Sequence, residues 1–224
     1  MVAYNEGMPA AKAYSSKTRF LLGMLIVLLA IALLAGGWII PFKYPSFSIL
    51  YKFGKLKQFL RYGKVIGISV VLLLFFQVVL ATRLKFFERV FSAKTLFFLH
   101  RLNGFIITCV VVAHPVLIKA SDNFIPYTIS KKYYPEFVGM GLIFVLLTVS
   151  LAAIFRKFFN MPYARWRLLH RMGATLVLAI LPFHVLLVST TFKSAGVPRY
   201  GAIIVFSLNL LFILYIWLRR IFYR

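Results

Sequence analysis

The chain has 224 residues, 62% of them apolar, and carries 27 Lys and Arg against four Asp and Glu, a formal charge of +23. An ordinary soluble domain is roughly 45–50% apolar, so the composition excludes a typical soluble enzyme, and the four carboxylates, Glu6, Glu88, Asp122 and Glu136, exclude most paired-carboxylate chemistry. The basic residues sit between apolar runs and form no continuous polar surface, which argues against nucleic acid as a partner and reads as charge flanking membrane spans.

Residues 1–19 form a polar tail, and 20–224 form one membrane unit. Crossing a hydrocarbon core of about 30 Å takes roughly 20 apolar residues, and six stretches qualify, at about 20–40, 65–81, 95–118, 137–155, 168–192 and 201–218. The first is too long for a signal-peptide core and has no clear cleavage pattern after it. The second is interrupted by one strongly polar residue, Gln77. Pro41 and Pro45, Pro126 and Pro135, Pro162, and Pro198 with Gly196 and Gly201 mark the connections. Between spans one and two, Lys52, Lys55, Lys57, Arg61 and Lys64 interleave with Phe53, Leu56, Phe59 and Leu60. That stretch is either a solvated connection or an interfacial helix gripping anionic lipid. Six spans put both termini on one side, which holds 16 of the 27 basic residues against 11 on the other. The bias predicts a multi-pass cell-membrane protein with cytoplasmic termini. The single cysteine, Cys109, is expected in the core and excludes a disulfide, a CxxC pair or an iron–sulfur cluster.

All four histidines fall inside spans: His100 and His114 in the third, His170 and His184 in the fifth. Ionisable groups are expensive in a bilayer and point to function. Each pair is 14 residues apart, which on a helix is about 40° short of four turns and about 21 Å of rise. Spans three and five run the same way, so facing helices would pair His100 with His170 at one depth and His114 with His184 at another. A structural zinc needs two further ligands. No carboxylate lies in these spans, and Cys109 is about 180° around the helix from His100. Haem iron needs only two axial ligands, so two b-type haems stacked across the bilayer satisfy the pattern.

Gly104 and Gly173 lie near the ligand faces, where a missing side chain leaves room for a flat macrocycle or simply for close helix packing. Arg101 and Arg171 follow the first histidine of each pair. With Arg165 and Arg167 they are placed either to neutralise haem propionates or to snorkel to the interface. Pro115 and Pro182 lie beside the second histidines, where proline is tolerated in any membrane helix. Lys119, Lys193 and Arg199, near the expected outer end, either attract an anionic chelate or are ordinary interfacial cations.

The stretches HRLNGFIITCVVVAHP at 100–115 and WRLLHRMGATLVLAILPFH at 166–184 resemble the ferric reductase-like transmembrane domain family, which includes ferric reductases, the membrane part of NADPH oxidases and the haem-binding subunit of a bacterial methionine sulfoxide reductase system. The resemblance covers nearly all six spans. It implies an all-α, six-helix membrane cytochrome b with two haems between the third and fifth spans, the inner on His100 and His170, the outer on His114 and His184. It implies transfer of electrons from a cytoplasmic flavin- and NAD(P)H-dependent dehydrogenase to an external acceptor such as ferric iron or oxygen. No Gly-rich dinucleotide fingerprint occurs in strand–turn–helix context, so FAD or FMN is expected only on a partner, and no bond-making catalytic residue is expected in this chain. Two alternatives stay open: a quinol-linked haem subunit of a periplasmic oxidoreductase, and a non-redox transporter or assembly protein whose histidines relay protons or pack helices. Membrane lipid is an expected partner, and a homo-oligomer is open.

Overall fold

The computed structural model describes residues 14–44, 54–193 and 195–222. Residues 1–13 of the expected tail, Pro45, and Lys52 and Phe53 of the basic stretch lie outside them. The described elements are helical: α1 (Ser16–Lys43), α2 (Gly54–Thr82), α3 (Lys85–Val90), α4 (Ala93–Ala120), α5 (Tyr134–Ile154), α6 (Tyr163–Val188), α7 (Thr190–Lys193) and α8 (Val197–Phe222), with one 3-10 turn at Lys131–Tyr133. Among them, α1, α2, α4, α5, α6 and α8 are long and apolar enough to cross a membrane.

Local chemistry sets several helix ends. The Ser15 and Ser92 hydroxyls accept from the main-chain N–H groups of Thr18 and Thr95, filling donors that the first turn leaves free. Pro135 sits in the first turn of α5, where its missing N–H costs nothing. Arg83 and Asn160 adopt left-handed backbone conformations (φ 50° and 48°) in the tight turns after α2 and before α6.

Four expectations are corrected. The basic stretch from Lys55 to Lys64 is neither a connection nor a separate interfacial helix: α2 starts at Gly54 and carries Lys55, Lys57, Arg61 and Lys64 on the same rod as the apolar run. Lys and Arg are good helix formers, so hydropathy locates the bilayer crossing but not the helix end. The fifth span ends at Val188, where Ser189 turns extended (ψ 117°) and the short α7 follows. The Thr191 hydroxyl there accepts from Lys64 at 3.1 Å and donates to the Tyr44 carbonyl at 3.4 Å, bonds to distant residues that a hydropathy pattern cannot register. Pro41 lies inside the last turn of α1 instead of breaking the chain after it. Cys109 is exposed on the surface of the bundle; an apolar host face suits a thiol as well as a core does.

The helices α2, α4, α5, α6 and α8 pack in that order as a ring that closes on α2, and α1 lies outside against α2. Only Gly37 and Pro41 of α1 are buried, leaving a helix that is apolar all round, as lipid contact demands. Gly37 lets α1 approach closely, since a Cβ there would fall 2.9 Å from Ile68 Cγ2, and Trp38 Nε1 donates to Ser69 Oγ at 2.8 Å. All five ring helices feed one apolar core: Val70 and Leu74, Ile107 and Val111, Leu142 and Leu146, Val177 and Leu181, and Phe206. The start of α1 and the end of α8 share one end of the bundle, the terminal end. There Arg19 donates to the Val90 carbonyl and Arg219 to the Thr82 carbonyl.

Candidate functional site

The two histidine-bearing spans are α4 and α6, which are not neighbours in the ring: α5 lies between them on one side, α2 and α8 on the other. Their 14-residue spacings place His100 and His170 toward the terminal end and His114 and His184 toward the far end, with the core residues Ile107, Val111, Val177 and Leu181 between the two levels. All four side chains are half-buried.

At the terminal end the His100 and His170 ring centres are 6.3 Å apart, with planes inclined at 66°. Nδ1 of each ring is buried without a hydrogen-bond partner. At this separation the two side chains could hold one metal-bearing group between them, each through a ring nitrogen, and such a group would supply redox chemistry there. Trp166 stacks near His170, ring centres 5.5 Å apart, and the Arg156 guanidinium lies 5.9 Å from the Trp166 ring centre, within cation–π range.

At the far end the two rings are held alike. His114 Nδ1 donates to the Gly63 carbonyl of α2 at 2.8 Å, and His184 Nδ1 donates to the Pro135 carbonyl of α5 at 2.9 Å. A carbonyl can only accept, so each Nδ1 carries the proton and each Nε2 keeps its lone pair. A bond from Nδ1 to a carbonyl commonly orients a metal-binding histidine and raises its basicity. One helical turn after each carbonyl stands a glycine under the ring: a Cβ on Gly67 would fall 2.7 Å from His114 Cε1, and a Cβ on Gly139 would collide with His184.

These supports come from α2 and α5, which sequence reasoning did not connect to the histidines. The faint signal was the four-residue spacing of Gly63 with Gly67 and of Pro135 with Gly139. At the terminal end the missed residues are Gln77 and Asn103. Asn103 Nδ2 donates to the Leu73 carbonyl at 2.9 Å and to Gln77 Oε1 at 2.7 Å, and Gln77 Nε2 lies 3.0 Å from the His100 carbonyl and 3.2 Å from His100 Nε2. Gln77 thus stands beside a candidate ligand and is more than a polar interruption.

Of the other expected site residues, Gly104 faces the Gln77 amide, its ideal Cβ position 3.1 Å from Nε2, and Gly173 faces the Val149 side chain of α5. Arg101 is exposed, 5.9 Å from the Phe97 ring centre; Arg171 lies 5.4 Å from the Trp217 ring centre and donates to the Arg167 carbonyl. Neither is among the residues that pair with a carboxylate in the described structure. Lys119 is committed locally: it pairs with Asp122 at 3.1 Å, donates to the Ile125 carbonyl and sits 3.9 Å from the Tyr127 ring centre. Lys193 and Arg199 are exposed, joined by an Arg199 bond to the Lys193 carbonyl, and both line a cavity of about 500 Å³ beside the end of α6. Among the described residues no three His, Cys, Asp or Glu side chains converge on a common metal position. His100 and His170 meet as a pair, which suits a group that already brings further ligands of its own.

A family model described as the ferric reductase like transmembrane component matches residues 66–181, a stretch that contains His100, His114, His170, Gln77 and Asn103 and ends three residues before His184. No curated protein and no solved structure matches the chain significantly.

Proposed function

Because the chain belongs to the ferric reductase-like transmembrane family, we propose that it is a two-haem membrane cytochrome b, carrying single electrons from a donor at the terminal end, taken as cytoplasmic, to an acceptor at the far end. The donor is a flavin- and NAD(P)H-dependent dehydrogenase on another polypeptide or domain, and the acceptor is ferric iron or oxygen. The observation that carries the proposal is the 6.3 Å separation of the His100 and His170 rings across helices that are not ring neighbours. The matched carbonyl bonds of His114 and His184 support a second site of the same kind.

In this reading His100 and His170 hold the inner haem, and His114 and His184 the outer. Haem supplies one-electron chemistry at iron, at a potential set by ligand, burial and nearby hydrogen bonds. The protein's own contribution is positional. The Gly63 and Pro135 carbonyls fix the tautomer in which Nε2 keeps its lone pair, and Gly67 and Gly139 leave the rings the space they fill. Arg101 and Arg171 supply positive charge at the terminal end, suited to propionates. Gly104 and Gly173 let Gln77 and Val149 pack close beside the inner pair. The apolar core between the levels keeps water out, which lowers the local dielectric and strengthens each of these interactions.

The test is a reduced-minus-oxidised absorption spectrum of the purified protein with haem counted per chain. Two b-type haems are expected. One would favour a haem subunit working beside another cofactor, such as a quinol-linked one, and none after expression with ample haem would overturn the proposal in favour of a non-redox membrane protein.

A further inference from the structure

The terminal-end polar cluster has a determinate hydrogen-bond sense. The Leu73 carbonyl only accepts, so the Asn103 atom facing it is Nδ2. The same Nδ2 meets Gln77 at 2.7 Å, so that Gln77 atom is the acceptor Oε1. Gln77 therefore turns Nε2 toward His100, and the His100 carbonyl, 3.0 Å away, accepts from it and confirms the assignment. That N–H group also stands 3.2 Å from His100 Nε2, which must present its lone pair there. A neutral imidazole with its lone pair at Nε2 carries its proton on Nδ1. Both nitrogens of His100 are then spoken for: one faces a donor, the other bears a proton in a buried position with no acceptor. Neither far-end ring is so engaged, since their Nδ1 protons go to carbonyls and nothing in those bonds uses the Nε2 lone pair.

We propose that Gln77, pinned by Asn103, is a latch on His100 that competes with metal for its lone pair, making the terminal-end site the weaker and later-filled of the two haem sites. The proposal rests on the two-haem reading above. Gln77 touches no haem atom in this account: it acts through His100 and is a positioning residue. Releasing the ring costs the cluster one hydrogen bond, while the Gln77 bonds to the His100 carbonyl and to Asn103 need not break.

The experiment uses the full chain in detergent or nanodiscs, with excess apomyoglobin as haem acceptor and haem loss followed by absorbance. The wild type is expected to lose haem in two phases, the faster one absent from His170→Ala. Gln77→Leu, which keeps bulk but removes the amide, is expected to slow the fast phase by about two- to ten-fold, the equivalent of one hydrogen bond, leaving the slow phase unchanged. Asn103→Leu, which unpins the amide without touching His100, is expected to act in the same direction with smaller size, and it carries the test if Gln77→Leu does not insert. A fast phase that is unchanged or accelerated in Gln77→Leu and Asn103→Leu overturns the latch. So does single-phase haem loss from a wild type containing two haems. A wild type without haem overturns the functional reading itself, and the haem count separates that result from the others.

Discussion

At the far end of the bundle two histidines give their Nδ1 protons to main-chain carbonyls, Gly63 and Pro135; at the terminal end His100 faces a side-chain amide, Gln77. A helix carbonyl cannot rotate or exchange a donor for an acceptor, so the far-end tautomers are built into the packing of α2 on α4 and of α5 on α6. A side-chain amide has rotamers, and the state of His100 depends on whether Gln77 stays in place. Histidines at identical sequence spacing are thus held differently, the far-end rings by fixed main-chain acceptors and His100 by an adjustable side chain.

The largest effect that would break this comparison is loss of one pair alone. His184→Ala or His114→Ala is expected to remove one of two haems and leave the other's spectrum intact; pyridine haemochrome counts and redox titration check it, and loss of both haems would show that the two sites are not separable. Next in size is Gly67→Ala, whose Cβ would sit 2.7 Å from His114 Cε1. Overpacking of this kind costs about 1–3 kcal/mol, so lower far-end haem occupancy is expected, together with a lower midpoint for thermal unfolding in detergent. A smaller effect is expected from the double change Arg101→Gln and Arg171→Gln: a lower reduction potential for the terminal-end haem only, since positive charge favours the electron-rich state. Measured at rising ionic strength, the difference between variant and wild type should shrink, because exposed charges are screened. The smallest is Lys119→Gln. It removes a pair with Asp122 of a kind worth about 0–1 kcal/mol when exposed, and haem content and reduction by a chemical donor should match the wild type.

Much of the architecture was legible in the residues. Apolar runs near 20 residues located the six spans to within a few positions at most ends, because the bilayer sets their minimum length. The exceptions are instructive. The start of α2 was hidden because Lys55, Lys57, Arg61 and Lys64 are polar yet helix-favouring. The end of α6 was hidden because no charge interrupts the chain until Lys193, while the bonds of Thr191 to Lys64 and Tyr44 hold the chain in its turn. Cys109 was misplaced because a small apolar side chain suits lipid and core equally.

The helical class, the six candidate crossings and the two depths of the histidines along α4 and α6 were legible in the residues alone, all consequences of periodicity along one helix at a time. Which ring nitrogen bears the proton in His100, His114 and His184 follows only from contacts between helices. The bonds responsible join positions 23, 49 and 51 residues apart, on helices whose mutual rotation follows from packing. No local pattern in α4 or α6 encodes the carbonyl or amide that a neighbouring helix presents. For the same reason Gln77, an isolated polar residue in an apolar run, acquires a meaning only when α2 is laid against α4.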